Sequence, residues 1–204
     1  MDIEEGHELE LGESQVISPK DLCTLSFIDK LIKAKIDAFK IEGRNRSPEY
    51  VKTVVECYKK AIDSYFEKKF NKKLAEELIN KLKTVYNRDF SSGFFMGKPV
   101  NEWVDVHGSK AVQKKIAIGR IENFYSKKNV ANIKILSGDL KKGDKILIMG
   151  EKTGVIEEIV DSMEINHRKI EIAKKGQNAG VLLKNKARGG DEVYKVIENE
   201  KEKV

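Results

Sequence analysis

The hydrophobic period of this 204-residue chain changes near its middle. Up to about Asn87 the apolar residues recur at helical spacing, and beyond Trp103 they alternate. Leu25, Ile28, Leu31 and Ile32 share one helical face. The run IDAFKIE, residues 36–42, alternates and predicts a short buried strand. Ser47-Pro48-Glu49 then predicts a helix start. Serine suits the N-cap, proline the first helical position, and glutamate the positive end of the helix dipole. Val51, Val54, Val55, Tyr58, Ile62 and Tyr65 make the apolar stripe of that helix, with Lys59, Lys60, Lys68 and Lys69 in its outer half. A third helix is predicted over residues 72–85, turning Leu74, Leu78, Leu82 and Val85 inward.

Residues 87–103, NRDFSSGFFMGKPVNEW, have neither period. Phe90, Phe94, Phe95 and Trp103 predict an ordered connector anchored by buried aromatic rings. Short alternating runs follow: KKIAIGRIENF, NVANIKIL, DKILIMG, GVIEEIV, RKIEIA, AGVLLK and DEVYKV. Turn signals separate them at Ser137-Gly138-Asp139, Lys142-Gly143-Asp144 and Arg188-Gly189-Gly190-Asp191. Such spacing predicts a small antiparallel β-barrel. The boundaries expected are an acidic tail over 1–16, an α/β piece over 17–100 and the barrel over 101–204.

The α/β piece looks incomplete. One strand flanked by helices has no partner, and parallel strands occur in sheets covered on both faces. The run 36–42 therefore reads as part of a larger sheet supplied by residues not present, or as an unpaired extended segment in a small helical domain.

Composition changes this picture little. Charged residues make up 35% and hydrophobic residues 40% of the chain, the balance of a soluble globular protein. No apolar run approaches the ~20 residues of a membrane span. The start shows no basic segment followed by an apolar one, so no signal peptide is read and a cytoplasmic protein is expected. Cys23 and Cys57 suggest no disulfide framework. The net charge of +6 hides an asymmetry: residues 1–15 carry six acidic and no basic residues, which leaves +12 on the rest. A basic body suits RNA or another polyanion, and it equally suits a lysine-rich solvated surface.

Lys40, Glu42 and Arg44 are the first candidates for chemistry. They stand at the C-terminal end of the predicted strand, the edge at which α/β folds bind ligands. Lys40 and Glu42 share a face opposite Phe39 and Ile41, and Arg44 sits at the turn. They read either as substrate contacts or as a salt-bridge cluster that fixes the strand end. His7, His107 and His167 have no cysteine or carboxylate at metal-ligand spacing. There is no Ser–His–Asp set, phosphate loop or dinucleotide glycine fingerprint. The barrel carries no catalytic constellation. Its Lys114, Lys115, Arg120, Lys127, Lys128, Lys141, Lys142, Arg168 and neighbouring lysines suit a phosphate backbone, although only Phe124, Tyr125 and Tyr194 are at hand for stacking.

The succession S-P-K-D-L-C, D-A-F-K-I-E-G-R, S-P-E-Y-V and F-S-S-G-F-F-M-G-K-P, in this order over about 80 residues, resembles the C-terminal half of the collagenase-like peptidase family. The later runs GDLKKGDKILIMG, AKKGQNAGVLLK and GGDEV resemble the accessory barrel of that family and domain two of elongation factor Tu. Members are named as peptidases, some with collagenase activity. Others hydroxylate transfer or ribosomal RNA or act in quinone synthesis, and several bind an iron–sulfur cluster. The resemblance implies a mainly helical remnant of an α/β barrel-like domain followed by a small antiparallel β-barrel, an α+β chain. It also implies that the catalytic part lies upstream, because the family's E-x-F-x-H-G run and paired cysteines have no counterpart here. The expected function is the C-terminal portion of a collagenase-like peptidase, inactive without its N-terminal half. The alternatives are part of a tRNA or rRNA hydroxylation protein and an RNA-binding module. The partners expected are that N-terminal half and tRNA or rRNA, with no membrane. Cys23 is then a candidate iron–sulfur ligand in the assembled protein; otherwise it is a small buried side chain, as Cys57 is. Two departures stand out. Asn45-Arg46 follows Gly43-Arg44 where the family usually has Met-Lys. Asp89 replaces a glycine, which predicts an altered connector.

Overall fold

The computed structural model describes residues 20–97, 104 and 108–199. The acidic tail, Trp103, His7 and His107 lie outside the described residues. Contacts divide the chain into two units, one of Met1–Ile41 with Thr53–Ala111 and the other of Glu42–Lys52 with Val112–Val204. The class is α+β, with three α-helices and a mostly antiparallel sheet.

In the first unit, strand β1 (Asp21–Leu22) leads through a 3-10 turn into α1 (Ile28–Lys33). Helix α2 spans Pro48–Phe66 and α3 spans Lys72–Leu82. Strand β2 (Phe90–Ser91) and a 3-10 turn over Gly93–Met96 follow. Pro48 opens α2, as the Ser-Pro-Glu signal predicts. Asn71 caps α3: its Oδ1 accepts a 3.0 Å hydrogen bond from the Leu74 amide, satisfying one of the helix's free N–H groups. The helix ends at Leu82, three residues short of the predicted end, and Val85 lies half-buried beyond it. Leu25, Phe27, Ile28, Val54, Cys57, Ala61, Ala75, Leu78 and Leu82 form the core of this unit. No helix of the described residues is long and apolar enough to cross a membrane.

Three expectations fail here. Residues 36–42 form no strand: Ile36 is 41% exposed, and Ala38, Lys40 and Glu42 are exposed as well. The apolar alternation is real, but a strand needs a hydrogen-bonding neighbour, and this segment has none among the described residues. The unit's actual strands are β1 and β2, which pair in parallel, Asp21 against Phe90 and Leu22 against Ser91. The connector aromatics are not all anchored either. Phe94 is 80% and Phe95 54% exposed, although the Phe95 ring lies 5.7 Å from that of Phe27. Asp89, finally, keeps the turn that glycine would make, with φ +69°. Asp and Asn enter this region most readily after glycine, because their short side chains bond locally. The Phe90 amide donates to Asp89 Oδ1 at 2.9 Å, and the Asp89 amide to Asn87 Oδ1 at 3.1 Å.

The second unit holds an eight-stranded antiparallel sheet. Its strands are β3 (Gln113–Tyr125), β4 (Val130–Ile135), β6 (Lys145–Gly150), β7 (Gly154–Ile159), β8 (Met163–Ile165), β9 (Arg168–Ile170), β11 (Asn178–Leu182) and β12 (Glu192–Glu198). They lie in the order β7-β6-β12-β3-β4-β11-β8-β9, and the short strands β5 (Asp139–Lys141) and β10 (Ile172–Lys174) pair separately. The alternation reads through directly: Ala131, Ile133 and Ile135 of β4 point into a core shared with Ile118, Ile121, Ile146, Ile148, Val181 and Val193. RKIEIA is one run in sequence but two strands, broken at Glu171. β8 and β9 join through Asn166-His167 at φ +50° and +62°, both residues in the left-handed region that a two-residue hairpin turn demands.

Two buried carboxylates tie loops to this sheet. Glu158 Oε1 accepts from the Lys184 and Asn185 amides at 3.0 and 3.1 Å and from Asn185 Nδ2 at 3.0 Å. Asp191 Oδ2 accepts from the Arg188 amide at 2.8 Å and from Thr153 Oγ1 at 2.6 Å. Gly119 is required by close approach. A Cβ there would stand 2.0 Å from the Lys134 carbonyl oxygen, whereas at Gly180 the nearest atom would be 3.4 Å away. Gly119→Ala is expected to cost about 2–3 kcal/mol or to prevent folding, and Gly180→Ala to change stability by under ~0.5 kcal/mol. Urea unfolding of the two variants beside the parent checks this. Equal midpoints for both would refute the packing described.

Candidate functional site

The predicted charged edge lies on the loop between α1 and α2. Lys40, Glu42 and Arg44 are all exposed. Glu42 Oε1 accepts a 2.7 Å hydrogen bond from the Arg44 amide, so this carboxylate folds back on its own backbone. A turn follows, with the Arg46 amide donating to the Gly43 carbonyl at 3.0 Å and Asn45 at φ +59°. Gly43 leaves room for Val51, whose Cγ2 would lie 3.0 Å from a Cβ at that position. The Arg46 guanidinium sits over the Tyr50 ring, 5.1 Å from its centre. Asn45-Arg46, the departure from the family pattern, thus supplies the left-handed residue and the stacked cation of this turn.

Residues 42–52 belong to the second unit, and there Glu49 makes a 2.6 Å ion pair with Lys115 of β3. Lys115 Nζ also lies 4.9 Å from the centre of the Tyr194 ring. The Tyr194 hydroxyl donates to Glu192, and that bond, followed by burial, pushes the phenol up to about 12. Glu49 Oε2 is buried without a hydrogen-bond partner. Glu49, Lys115, Tyr194 and Glu192 form the densest charged cluster near the predicted edge. Sequence reasoning missed it, because a helix start and two strands up to 145 residues apart carry it. The Ser-Pro-Glu signal explained Glu49 fully as a helix-dipole partner and gave no reason to look further.

The cysteines are buried in the first unit and free. Burial raises the Cys23 thiol above its ordinary value against weaker opposing hydrogen bonds. Burial likewise pushes Cys57 up to about 11, and its Sγ lies 3.7 Å from the Leu78 carbonyl oxygen. Tyr58, also pushed up to about 12 by burial, accepts from the Thr24 amide at 3.0 Å. Iron–sulfur clusters are held by four thiolates, and the chain has two cysteines. Among the described residues no group of three or more His, Cys, Asp or Glu could hold a metal ion. The described residues therefore do not by themselves supply the ligands of an iron–sulfur cluster. The described histidine, His167, serves a hairpin turn. The exposed edge offers cations and a carboxylate for binding, without a nucleophile and base brought together.

The model of Peptidase family U32 matches residues 2–105, and that of elongation factor Tu domain 2 matches residues 128–189. The chain belongs to peptidase family U32. It is 39% identical over 98% of its length to a collagenase of Porphyromonas gingivalis, of which the match covers 48%. It is 42% identical over 92% of its length to an uncharacterized protease of Methanocaldococcus jannaschii, covering 46% of that protein. A tRNA hydroxylation protein of Bacillus subtilis is 34% identical over 71% of this chain and is itself covered to 35%. The chain spans about half the length of the proteases it matches.

The cysteine environment makes a pH prediction. A thiol raised in the folded state stays protonated while the unfolded chain ionises, so the unfolded state binds fewer protons above its own value near 9. Stability from Cys57 is present below that pH and is lost as pH rises towards about 11. Thermal melting across pH 8 to 11 is expected to show a falling Tm that flattens in Cys57→Ala, once its lower baseline stability is subtracted. An unchanged slope would refute a buried neutral thiol at Cys57.

Proposed function

We propose that this chain is the non-catalytic portion of a collagenase-like peptidase, completed for activity by the half that its relatives possess and this chain does not span. One observation carries the reading: 39% identity runs through nearly the whole chain while covering only 48% of the collagenase. The absence of any paired nucleophile and base among the described edge residues supports it. In the assembled protein Lys40, Glu42 and Arg44 line one edge of the substrate mouth. Arg44 supplies a fixed positive charge for a carboxylate or a polarised carbonyl, and Glu42, hydrogen-bonded to the Arg44 amide, orders the loop that presents it. The antiparallel sheet acts as a positioning module. The match to elongation factor Tu domain 2 supports reading it as closed into a barrel. Cys23 is assigned to the core, since its side chain is buried in the first unit.

A second reading has its own observation. Three tRNA hydroxylation proteins are similar to this chain, one of them at 34% identity over 71% of its length. In that reading the same edge and the basic sheet surface hold RNA, with affinity falling steeply with salt as counterions are released.

The test compares the chain alone with the chain joined to the missing half of the P. gingivalis collagenase, on gelatin and on tRNA. The isolated chain is expected to show no gelatin cleavage, and the joined protein to gain it. In the joined protein Arg44→Ala is expected to lower kcat/KM about 10- to 100-fold, the loss of one charged contact. Cleavage by the isolated chain would overturn the non-catalytic reading. Salt-dependent tRNA binding without cleavage by the joined protein would favour the second.

A further inference from the structure

The sheet unit carries an outer face that its core does not use. The register sets Tyr125 of β3 opposite Val130 of β4, and Val130 opposite Leu182 of β11. Their chain neighbours Ala131 and Val181 are fully buried, so by alternation Val130 and Leu182 lie on the face turned from the core. Tyr125 and Leu182 are each 51% exposed, while Phe124 packs against the core. Neighbouring strands run about 4.8 Å apart, so the three side chains make one continuous apolar row. Beside it the register sets Asn123, Asn132 and Gly180 in a second row. Gly180 puts no side chain next to Val130, whose Cγ1 would lie 3.4 Å from a Cβ there. Asn123 Oδ1 accepts from the Phe124 amide at 2.9 Å, but the Asn132 carboxamide makes no hydrogen bond among the described residues.

Four lysines stand at one end of this face. Lys127 and Lys128 lie in the turn from Tyr125 to Val130, and Lys184 and Lys186 in the segment leaving Leu182. The Leu183 amide donates to the Asn129 carbonyl at 2.8 Å, which brings that segment and that turn together. All four lysines are exposed, and none makes an ion pair among the described residues. Elsewhere in the sheet lysines are paired, as Lys145 is with Glu157 at 3.0 Å and Lys195 with Asp144 at 2.8 Å. The carboxylate nearest these rows in register is Glu164, opposite Gly180, and Lys169 faces it on the next strand.

Exposed apolar side chains set side by side mark an interaction surface, and the chemistry around them selects the occupant. Unpaired ammonium groups favour an anionic one. Aliphatic side chains are the natural cover for Val130 and Leu182, and a free carboxamide offers two donors and an acceptor to a peptide group. Single-stranded nucleic acid stacks successive bases on aromatic rings, and this row has one ring. A second copy set face to face would bring four more lysines against these, an unfavourable pairing of like charges.

We infer that the row of Tyr125, Val130 and Leu182, with Lys127, Lys128, Lys184 and Lys186 at its end, is a docking surface for an acidic segment of a partner protein. Aliphatic side chains of the segment cover the row, its carboxylates meet the lysines, and Asn132 hydrogen-bonds to its main chain. The surface is separate from the edge of Lys40, Glu42 and Arg44, and its occupation is read without any catalysis.

Fluorescence anisotropy tests this on the whole chain with two labelled peptides of equal charge, Glu-Glu-Leu-Glu-Leu-Glu-Glu and Glu-Glu-Ser-Glu-Ser-Glu-Glu. The leucine peptide is expected to bind at least about 10-fold more tightly than the serine peptide, because covering leucine side chains adds to the charge attraction. Leu182→Ser is expected to remove that difference. Lys184→Glu combined with Lys186→Glu is expected to weaken the leucine peptide about 10-fold or more. The comparison of the two peptides needs no variant, so it decides even where a variant does not fold. Equal binding of both peptides, or no binding of either at about 1 mM, overturns the inference. So does octauridylate that displaces the labelled leucine peptide at a lower concentration than the unlabelled peptide does, since that marks a single-stranded nucleic acid as the occupant. Self-association of the chain that Leu182→Ser abolishes overturns it as well, since that marks a second copy.

Discussion

Every other feature of this chain depends on where its backbone hydrogen bonds are made. In the second unit the accounting closes locally. Six of the eight sheet strands lie next to a sequence neighbour, and β12 bridges β3 and β6. The bulges at Ile121/Asn123 and Val193/Tyr194 bend the sheet while leaving most of the ladder intact. In the first unit the helices satisfy themselves, but the strand material does not. Two residues pair with two, and six more stand alone. Buried or half-buried main chain without a partner costs free energy comparable to a lost hydrogen bond at each group. The unit escapes that cost only by leaving the segment in water.

Charged side chains are used in two ways. In the sheet Glu158 takes three donors and Asp191 clamps the β6–β7 turn to the loop before β12. Lys195 likewise bridges Asp144 at 2.8 Å and Asp139 at 3.5 Å. Such networks fix loops because a missing partner would strand a desolvated charge. At the candidate edge Lys40 and Arg44 are exposed, and Glu42 satisfies only a neighbouring amide. Charges held in water contribute little to stability.

How much of this was legible in the sequence follows from the range of the interactions. The helix starts, the alternating runs and the glycine turns are local, and they read correctly: Pro48 opens α2, and Gly138, Gly143 and Gly190 all take positive φ. The strand at 36–42 read wrongly because alternation reports a preference, and a preference becomes a strand only beside a partner. β1 and β2 were invisible for the complementary reason. Two residues carry no period, and their pairing spans some 70 positions. Burial of Phe94 and Phe95 was inferred from residue type alone, and type does not say which surface does the burying. The Glu49–Lys115–Tyr194 cluster needed three elements at once.

The same limit governs function. Proteins named for peptidase activity and for tRNA hydroxylation are both similar to this chain. A fold carries several activities, and the deciding atoms belong to the reacting centre. What the described residues show is geometry: a loop ordered by Glu42 through the Arg44 amide, and a helix start at which Glu49 pairs with Lys115. Positioning acts on groups held together, so a single charged loop does not by itself tell one of these chemistries from the other.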